Sequence, residues 1–350
     1  MLMHPSILLI GNFLSDTSGV KSVSEELFEY LHKSSDRCLI TTSSHRSRIL
    51  RLVDIVMTII LQRSKYEAVS IEVYSGLAFV WAEVSAWLLS WLHKPFVLAL
   101  HGGGLPLLAE HSPARVRRLL SMAAAVITPS QYIQKALTLI RDDIIYLPNG
   151  LKLEDHYFRL RTDPAPRICW LRAFHKIYNP VMAIQVICQL RKDFPDIHLT
   201  MIGPDKADGT YDQVVQMIRD HDLKDHVEVF GSVPKESIPS WLDKYDVFIN
   251  TTSLESFGVA VMEAGAAGLP IVTTNVGELP YLWKNENDAL LIPPNDANAM
   301  AMAVRRILTE PGLAEKLSCS ARKNAERFDW AVILPQWEHL MGKIVEQRQK

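Results

Sequence analysis

The feature that most constrains this chain is an alternation of short apolar runs with amphipathic stretches, sustained over nearly all of its 350 residues. Ile7-Leu8-Leu9-Ile10-Gly11 reads as a buried parallel strand. Val20, Val23, Leu27, Tyr30 and Leu31 then mark the apolar stripe of a helix that reaches about Lys33. The same patterns recur as strands at 38–41, 69–73, 96–100, 124–128 and 144–147 and as helices at 49–61 and 77–92. Thr162-Asp163-Pro164-Ala165-Pro166 reads as a linker, after which the alternation restarts. Strands are expected at 168–171, 198–203, 227–231, 247–250 and 270–274. Helices are expected at 180–192, 211–221, 238–244, 297–308, 312–327 and 330–345, with one more carrying Glu263. Such alternation argues for an α/β fold of two Rossmann-like, doubly wound parallel-sheet domains, residues 1–162 and 167–328, facing across a cleft. Ligands of such sheets bind beyond the carboxyl ends of the strands.

A hydrophobic content of 48% and a charged content of 22% describe a soluble globular chain. The net charge of −2 offers no general basic field to nucleic acid. Residues 1–150 carry +2 and the remainder −4, so the first half is the better candidate for an anionic surface. Cys38, Cys169, Cys188 and Cys319 form no Cys-x-x-Cys pair and read as buried, reduced thiols without a zinc site. The start of the chain lacks the cationic opening of a signal peptide, which leads us to expect a cytoplasmic protein. The run 77–92 is too short, and too interrupted by Glu83, for a membrane span; it reads as a buried helix.

The densest chemistry lies in Glu255-Ser256-Phe257-Gly258-Val259-Ala260-Val261-Met262-Glu263. A strand-like run precedes it and a small-residue helix pattern follows. A helix beginning near Phe257 would turn free backbone N–H groups toward an anion, phosphate being the usual one. Glu263, about two turns further in, could accept hydrogen bonds from a distal part of the same ligand. The bland alternative is an N-terminal helix acid and a solvated helix face. Arg172 and Lys176, after the first strand of the second domain, are two fixed positive charges suited to a diphosphate.

His101-Gly102-Gly103-Gly104 has three readings. It matches the oxyanion loop of some α/β-hydrolases, but the chain has no Gly-x-Ser-x-Gly elbow. It could instead place His101 on a sugar hydroxyl, with glycines admitting backbone to a ligand, or be a satisfied core histidine. Gly19 closes the first loop at a helix start and could let backbone approach a ligand. Asp220-His221-Asp222 reads as solvated. Arg46, Arg48 and Arg51, and separately Arg115, Arg117 and Arg118, lie beside apolar helix faces, a pattern that fits either anionic lipid or a solvated face.

Taken together these residues resemble retaining glycosyltransferases of the GT-B fold, specifically glycosyltransferase family 4. The Glu255–Glu263 element carries most of the likeness, supported by Arg172 with Lys176, Pro148-Asn149-Gly150, Phe230-Gly231-Ser232-Val233, His101 and Gly19. The resemblance implies that Glu263 holds the nucleotide ribose and that Arg172 and Lys176 neutralise the diphosphate. It implies that Val233 lies against the base, and that the amides of Phe257, Gly258 and Val259 meet sugar and phosphates. It also implies that Glu255 contacts donor-sugar hydroxyls and that His101 faces the sugar from the other domain.

The stretch Phe328-Asp329-Trp330 resembles the segment that crosses back, so 329–350 is expected on the N-terminal domain. The implied reaction is metal-independent, retaining transfer of a hexosyl or N-acetylhexosaminyl group from a UDP- or GDP-linked donor. The implied acceptor is a glycan or glycolipid hydroxyl, as in bacterial surface-polysaccharide synthesis. No cofactor beyond the nucleotide sugar is implied, and the N-terminal domain is expected to reach the inner leaflet peripherally. The family usually spaces its Arg and Lys one residue wider and follows the Lys with Gly, whereas Ile177-Tyr178-Asn179-Pro180 stands here. A non-catalytic sugar-nucleotide binder and a sugar-nucleotide epimerase are the alternative readings.

Overall fold

A computed structural model describes residues 5–15, 21–34 and 37–349. The chain divides into two compact units, Met1–Gly150 with Trp330–Lys350, and Leu151–Asp329.

The N-terminal unit is built on β1 (Ile7–Ile10), β2 (Leu39–Thr42), β3 (Ala68–Val73), β4 (Phe96–Leu100), β5 (Ala125–Thr128) and β6 (Ile145–Tyr146). All pair in parallel in the order β2-β1-β3-β4-β5-β6. Parallel strands need covered faces, and period-two side-chain alternation supplies both. Leu8, Ile10, Val69, Ile71 and Leu98 enter one core, with residues of the Arg48–Leu61 and Ala78–Trp91 helices. Ile7, Leu9 and Val97 enter the other, with Trp330, Ile333, Trp337 and Met341 of the C-terminal helix. Trp330 also stacks on Tyr30 with ring centroids 5.0 Å apart.

The C-terminal unit repeats the plan with β7 (Arg167–Leu171), β8 (His198–Ile202), β9 (Val227–Phe230), β10 (Val247–Asn250), β11 (Ile271–Thr274) and β12 (Leu290–Ile292). Its order is β12-β11-β10-β7-β8-β9, again all parallel. This is the doubly wound order in which the first strand lies at the centre and winding reverses between it and the fourth. The reversal falls between β7 and β10, the position beyond whose carboxyl ends ligands of such sheets bind.

Four expectations need correction. The boundary falls at Gly150/Leu151, not at 162–166. Leu151–Arg161 already belongs to the C-terminal unit, where the Leu151 amide donates to the Phe328 carbonyl at 2.7 Å. The fully buried Arg161 guanidinium is wrapped there by the carbonyls of Arg159, Leu242, Tyr245 and Ala267. Burial pushes that guanidinium down to about 10. Strand β12 was not expected; at three residues it is too short to show a period. Cys38 is exposed, not buried. The 77–92 run forms the Ala78–Trp91 helix, but Trp87 and Trp91 lie on its surface at 66% and 67% exposure. No helix among the described residues is long and apolar enough to cross a membrane.

Candidate active site

Arg172 leaves the carboxyl end of β7, and Asn250 ends β10, so the winding reversal brings the two together. Arg172 Nε lies 3.5 Å from Asn250 Oδ1, and its Nη2 donates to Glu255 Oε2. The guanidinium sits 5.2 Å from the centroid of the Tyr178 ring. Arg172 and Glu255 side chains are 13% and 7% exposed, so this ion pair is held largely out of water. Burial lowers the Arg172 pKa, while Tyr178 and Glu263 oppose that shift. Arg172, expected on a diphosphate, and Glu255, expected on a sugar, are therefore bonded to each other.

The loop that carries Glu255 is fixed by buried hydroxyls. Trp170 Nε1 donates to Thr251 Oγ1 at 2.9 Å, and Thr251 Oγ1 donates to the Tyr178 carbonyl at 2.7 Å. Asn250 Nδ2 donates to Thr273 Oγ1 at 3.0 Å, and Thr274 Oγ1 donates to the Thr252 carbonyl at 2.6 Å. The Ser253 amide reaches the Ile177 carbonyl at 2.7 Å. A fully satisfied polar network of this kind holds one geometry. It also accounts for the unusual Ile177-Tyr178-Asn179-Pro180 sequence. Its carbonyls anchor the β10 loop, its tyrosine backs the arginine, and Asn179 (φ 45°) turns the chain into the Pro180–Leu190 helix.

The helix after Glu255 starts at Val259, not near Phe257. Gly258, at φ 96°, breaks the geometry immediately before it, as glycine readily does. The Phe257 ring is consequently buried, edge-on to Phe328 with centroids 5.9 Å apart. The amides of Val261 and Met262 both donate to the Gly258 carbonyl at 3.0 Å, which leaves those of Val259 and Ala260 as the leading donors of the Val259–Ala266 helix. Gly277 (φ 56°) passes so close to the Glu255 carbonyl that a Cβ there would lie 2.0 Å from that oxygen. The neighbouring Glu278 amide donates to the same carbonyl at 2.9 Å.

Glu263 is not on a solvated face; it is 6% exposed and about one turn into its helix. Burial raises its pKa, and the charges of Lys235 and Arg172 pull it back. Lys176 has an exposed side chain; its backbone amide is tied to Asp208 Oδ2 at 2.8 Å. Val233 is half-buried against the core that holds Phe257 and Val261. Asn250, Tyr178, Gly277 and Lys235 were not singled out from the sequence. Only Asn250, a polar residue closing an apolar strand, left a local signal.

In the N-terminal unit, His101 follows β4. Its Nε2 is 3.9 Å from Glu72 Oε1, and its ring stacks on Tyr74 at 5.8 Å. Tyr74 Oη donates to Glu72 Oε2 at 3.0 Å. Burial holds the His101 pKa below the usual imidazole range against the pull of Glu72. Its glycines have a local use: a Cβ at Gly102 would lie 2.8 Å from the Ser75 amide nitrogen, and one at Gly104 would lie 2.7 Å from Ser75 Oγ. His101 borders an apolar pocket whose walls include Leu9, Leu27, Glu72, Leu147 and Trp330. Gly19 lies outside the described residues. Arg51 is buried, donating to Asn12 Oδ1 at 2.7 Å.

Residues 157–324, nearly the whole C-terminal unit, match the family described as Glycosyl transferases group 1. Glycogen synthase from Mycobacterium tuberculosis is 29% identical over 153 residues, 43% of this chain and 36% of that protein. D-inositol 3-phosphate glycosyltransferase from Corynebacterium diphtheriae is 25% identical over 167 residues, 47% of this chain and 39% of that protein. The matched stretch thus spans well under half the length of these curated relatives. Among solved structures, sucrose-phosphate synthase from Thermosynechococcus elongatus covers 98% of this chain and 100% of its own, at TM-score 0.79 and 19% identity. Anabaena Alr3699/HepE in complex with UDP-glucose covers 97% of this chain and 100% of its own, at TM-score 0.74 and 17% identity. Residues 157–324 therefore form a glycosyl transferases group 1 domain, and the two six-stranded parallel sheets are those of the GT-B fold.

Proposed function

We propose that this chain is a retaining, metal-independent glycosyltransferase that moves a sugar from a nucleotide-diphosphate donor to a glycan or glycolipid hydroxyl. The observation that carries this reading is the half-buried Arg172, held at the winding reversal beside Glu255, Asn250 and the opening turn of the Val259–Ala266 helix. As the glycosidic bond breaks, negative charge develops on the β-phosphate of the leaving group. Arg172 offers two preorganised N–H donors there, Lys176 a mobile point charge and the helix its first amides. In this reading those groups supply the positive charge that a divalent cation would otherwise bring.

Glu263, buried one turn into the same helix, would accept hydrogen bonds from the ribose, and Val233 would line the base. Glu255 would exchange its bond to Arg172 for donor-sugar hydroxyls when the diphosphate arrives. The acceptor hydroxyl would attack from the face that the diphosphate leaves, passing its proton to the departing phosphate oxygen. The structural neighbour Alr3699/HepE was solved in complex with UDP-glucose, which fits a donor of this class.

The test is titration of the full chain with UDP and GDP, followed by donor turnover with and without chelator. Arg172→Ala should lower donor turnover by about 10²–10³-fold, as loss of one preorganised donor does, with the thermal transition retained. Near-normal turnover in that variant, or no affinity for any nucleoside diphosphate, removes this reading. Binding without donor cleavage would favour a sugar-nucleotide carrier, and product formed without acceptor would favour an epimerase.

A further inference from the structure

The Arg48–Leu61 helix has two apolar faces. Ile55 and Ile59 are buried in the core. On another face Ile49, Val53, Met57 and Leu61 recur every four residues and lie 75%, 52%, 47% and 63% exposed. The adjacent Ala78–Trp91 helix repeats the arrangement, with Trp87 and Trp91 one turn apart and outward-facing. A surface helix normally turns charge outward, and aligned aliphatic and indole side chains on neighbouring helices mark an interaction surface.

The charges around this face are one-sided. The Arg48–Leu61, Ala78–Trp91 and Pro113–Met122 helices are neighbours in one layer and together carry five arginines against two carboxylates. Arg51 is buried, and one of the two carboxylates, Asp54, accepts from Thr42 Oγ1. Glu83 accepts from Arg115 Nε at 2.7 Å and lies 3.7 Å from Arg118. Arg48 and Arg117 are exposed, as is Arg118 with a side chain 74% accessible.

We infer that this face docks on an anionic lipid bilayer, the two helices lying in the plane of its headgroups. Exposed aliphatic and indole groups would enter the acyl boundary while arginines meet lipid phosphates. Charge complementarity selects the bilayer over a second copy of the chain. A two-fold partner would bring the same uncompensated arginines toward each other.

Flotation of the full chain with vesicles tests this. Wild type should float with vesicles of phosphatidylcholine and phosphatidylglycerol at low salt, and less with phosphatidylcholine alone or at high salt. Trp87→Ala/Trp91→Ala and Arg48→Glu/Arg117→Glu should each weaken partitioning by about tenfold or more, without moving the thermal transition. Failure of wild type to float with the anionic vesicles at low salt overturns the inference without recourse to any variant. Undiminished flotation of both variants overturns it too. So does a wild-type dimer that ignores vesicles and becomes monomeric in the tryptophan variant.

Discussion

The Pro180–Leu190 helix of the C-terminal unit and the Arg48–Leu61 helix of the N-terminal unit are both rich in aliphatic side chains, yet they meet opposite surroundings. The first is flanked by the Thr210–Asp220 and Ala297–Thr309 helices and buries seven residues, from Pro180 to Leu190. The second buries only Arg51, Ile55 and Ile59. Aliphatic content therefore reports burial only where a helix has neighbours on both sides. Where one side is open, the same residues form an exposed apolar surface.

The largest expected effect tests this contrast directly. Ile187→Asp would place an unpaired charge in the C-terminal core and should destabilise that unit by about 4 kcal/mol or more. Val53→Asp, on the open face, should stay within about 0.5 kcal/mol. Urea titration read by hydrogen exchange in each unit separates the two, and comparable losses would break the contrast.

A smaller effect compares two glycines of positive φ. Gly277→Ala should cost about 1–3 kcal/mol, because strain is joined by collision with the Glu255 carbonyl. Gly76 (φ 73°) has open space around its would-be Cβ, so Gly76→Ala should carry the conformational strain alone, about 1 kcal/mol. Equal melting shifts for the two variants would mean that the Gly277 contact relaxes freely.

The smallest effect is in pH. His101 has a depressed folded pKa, so its contribution is complete above the unfolded value near 6.5 and is lost as pH falls toward the folded one. Glu263 has a raised folded pKa, so its contribution is complete below about 4.5 and is lost as pH rises through the folded value. Comparing each wild-type profile with His101→Asn and Glu263→Gln should give slopes of opposite sign. Slopes of the same sign would contradict one of the two burial assignments.

Much of the candidate site was legible in local order. Glu255, Glu263 and Arg172 stand out because charged groups interrupt apolar runs at strand ends and in a small-residue helix. The Arg172–Glu255 pairing was not legible, since it joins residues that follow two separate strands, β7 and β10, which are neighbours only through the sheet order. Nor was the helix start at Val259, because Gly258 suits either a loop or a first turn until its φ is known. The tie between the Ile177–Tyr178 carbonyls and the β10 loop was equally hidden, since backbone acceptors leave no mark in side-chain identity.

By itself the sequence determined the parallel α/β class and the positions of most strands, because burial of both sheet faces imposes a period that survives in the order of residues. Tertiary structure alone decided where one unit stops, which carboxylate meets Arg172, and which apolar helix face stays bare. Those outcomes depend on contacts between distant segments, and contact energy between distant segments is written in no single stretch of the chain.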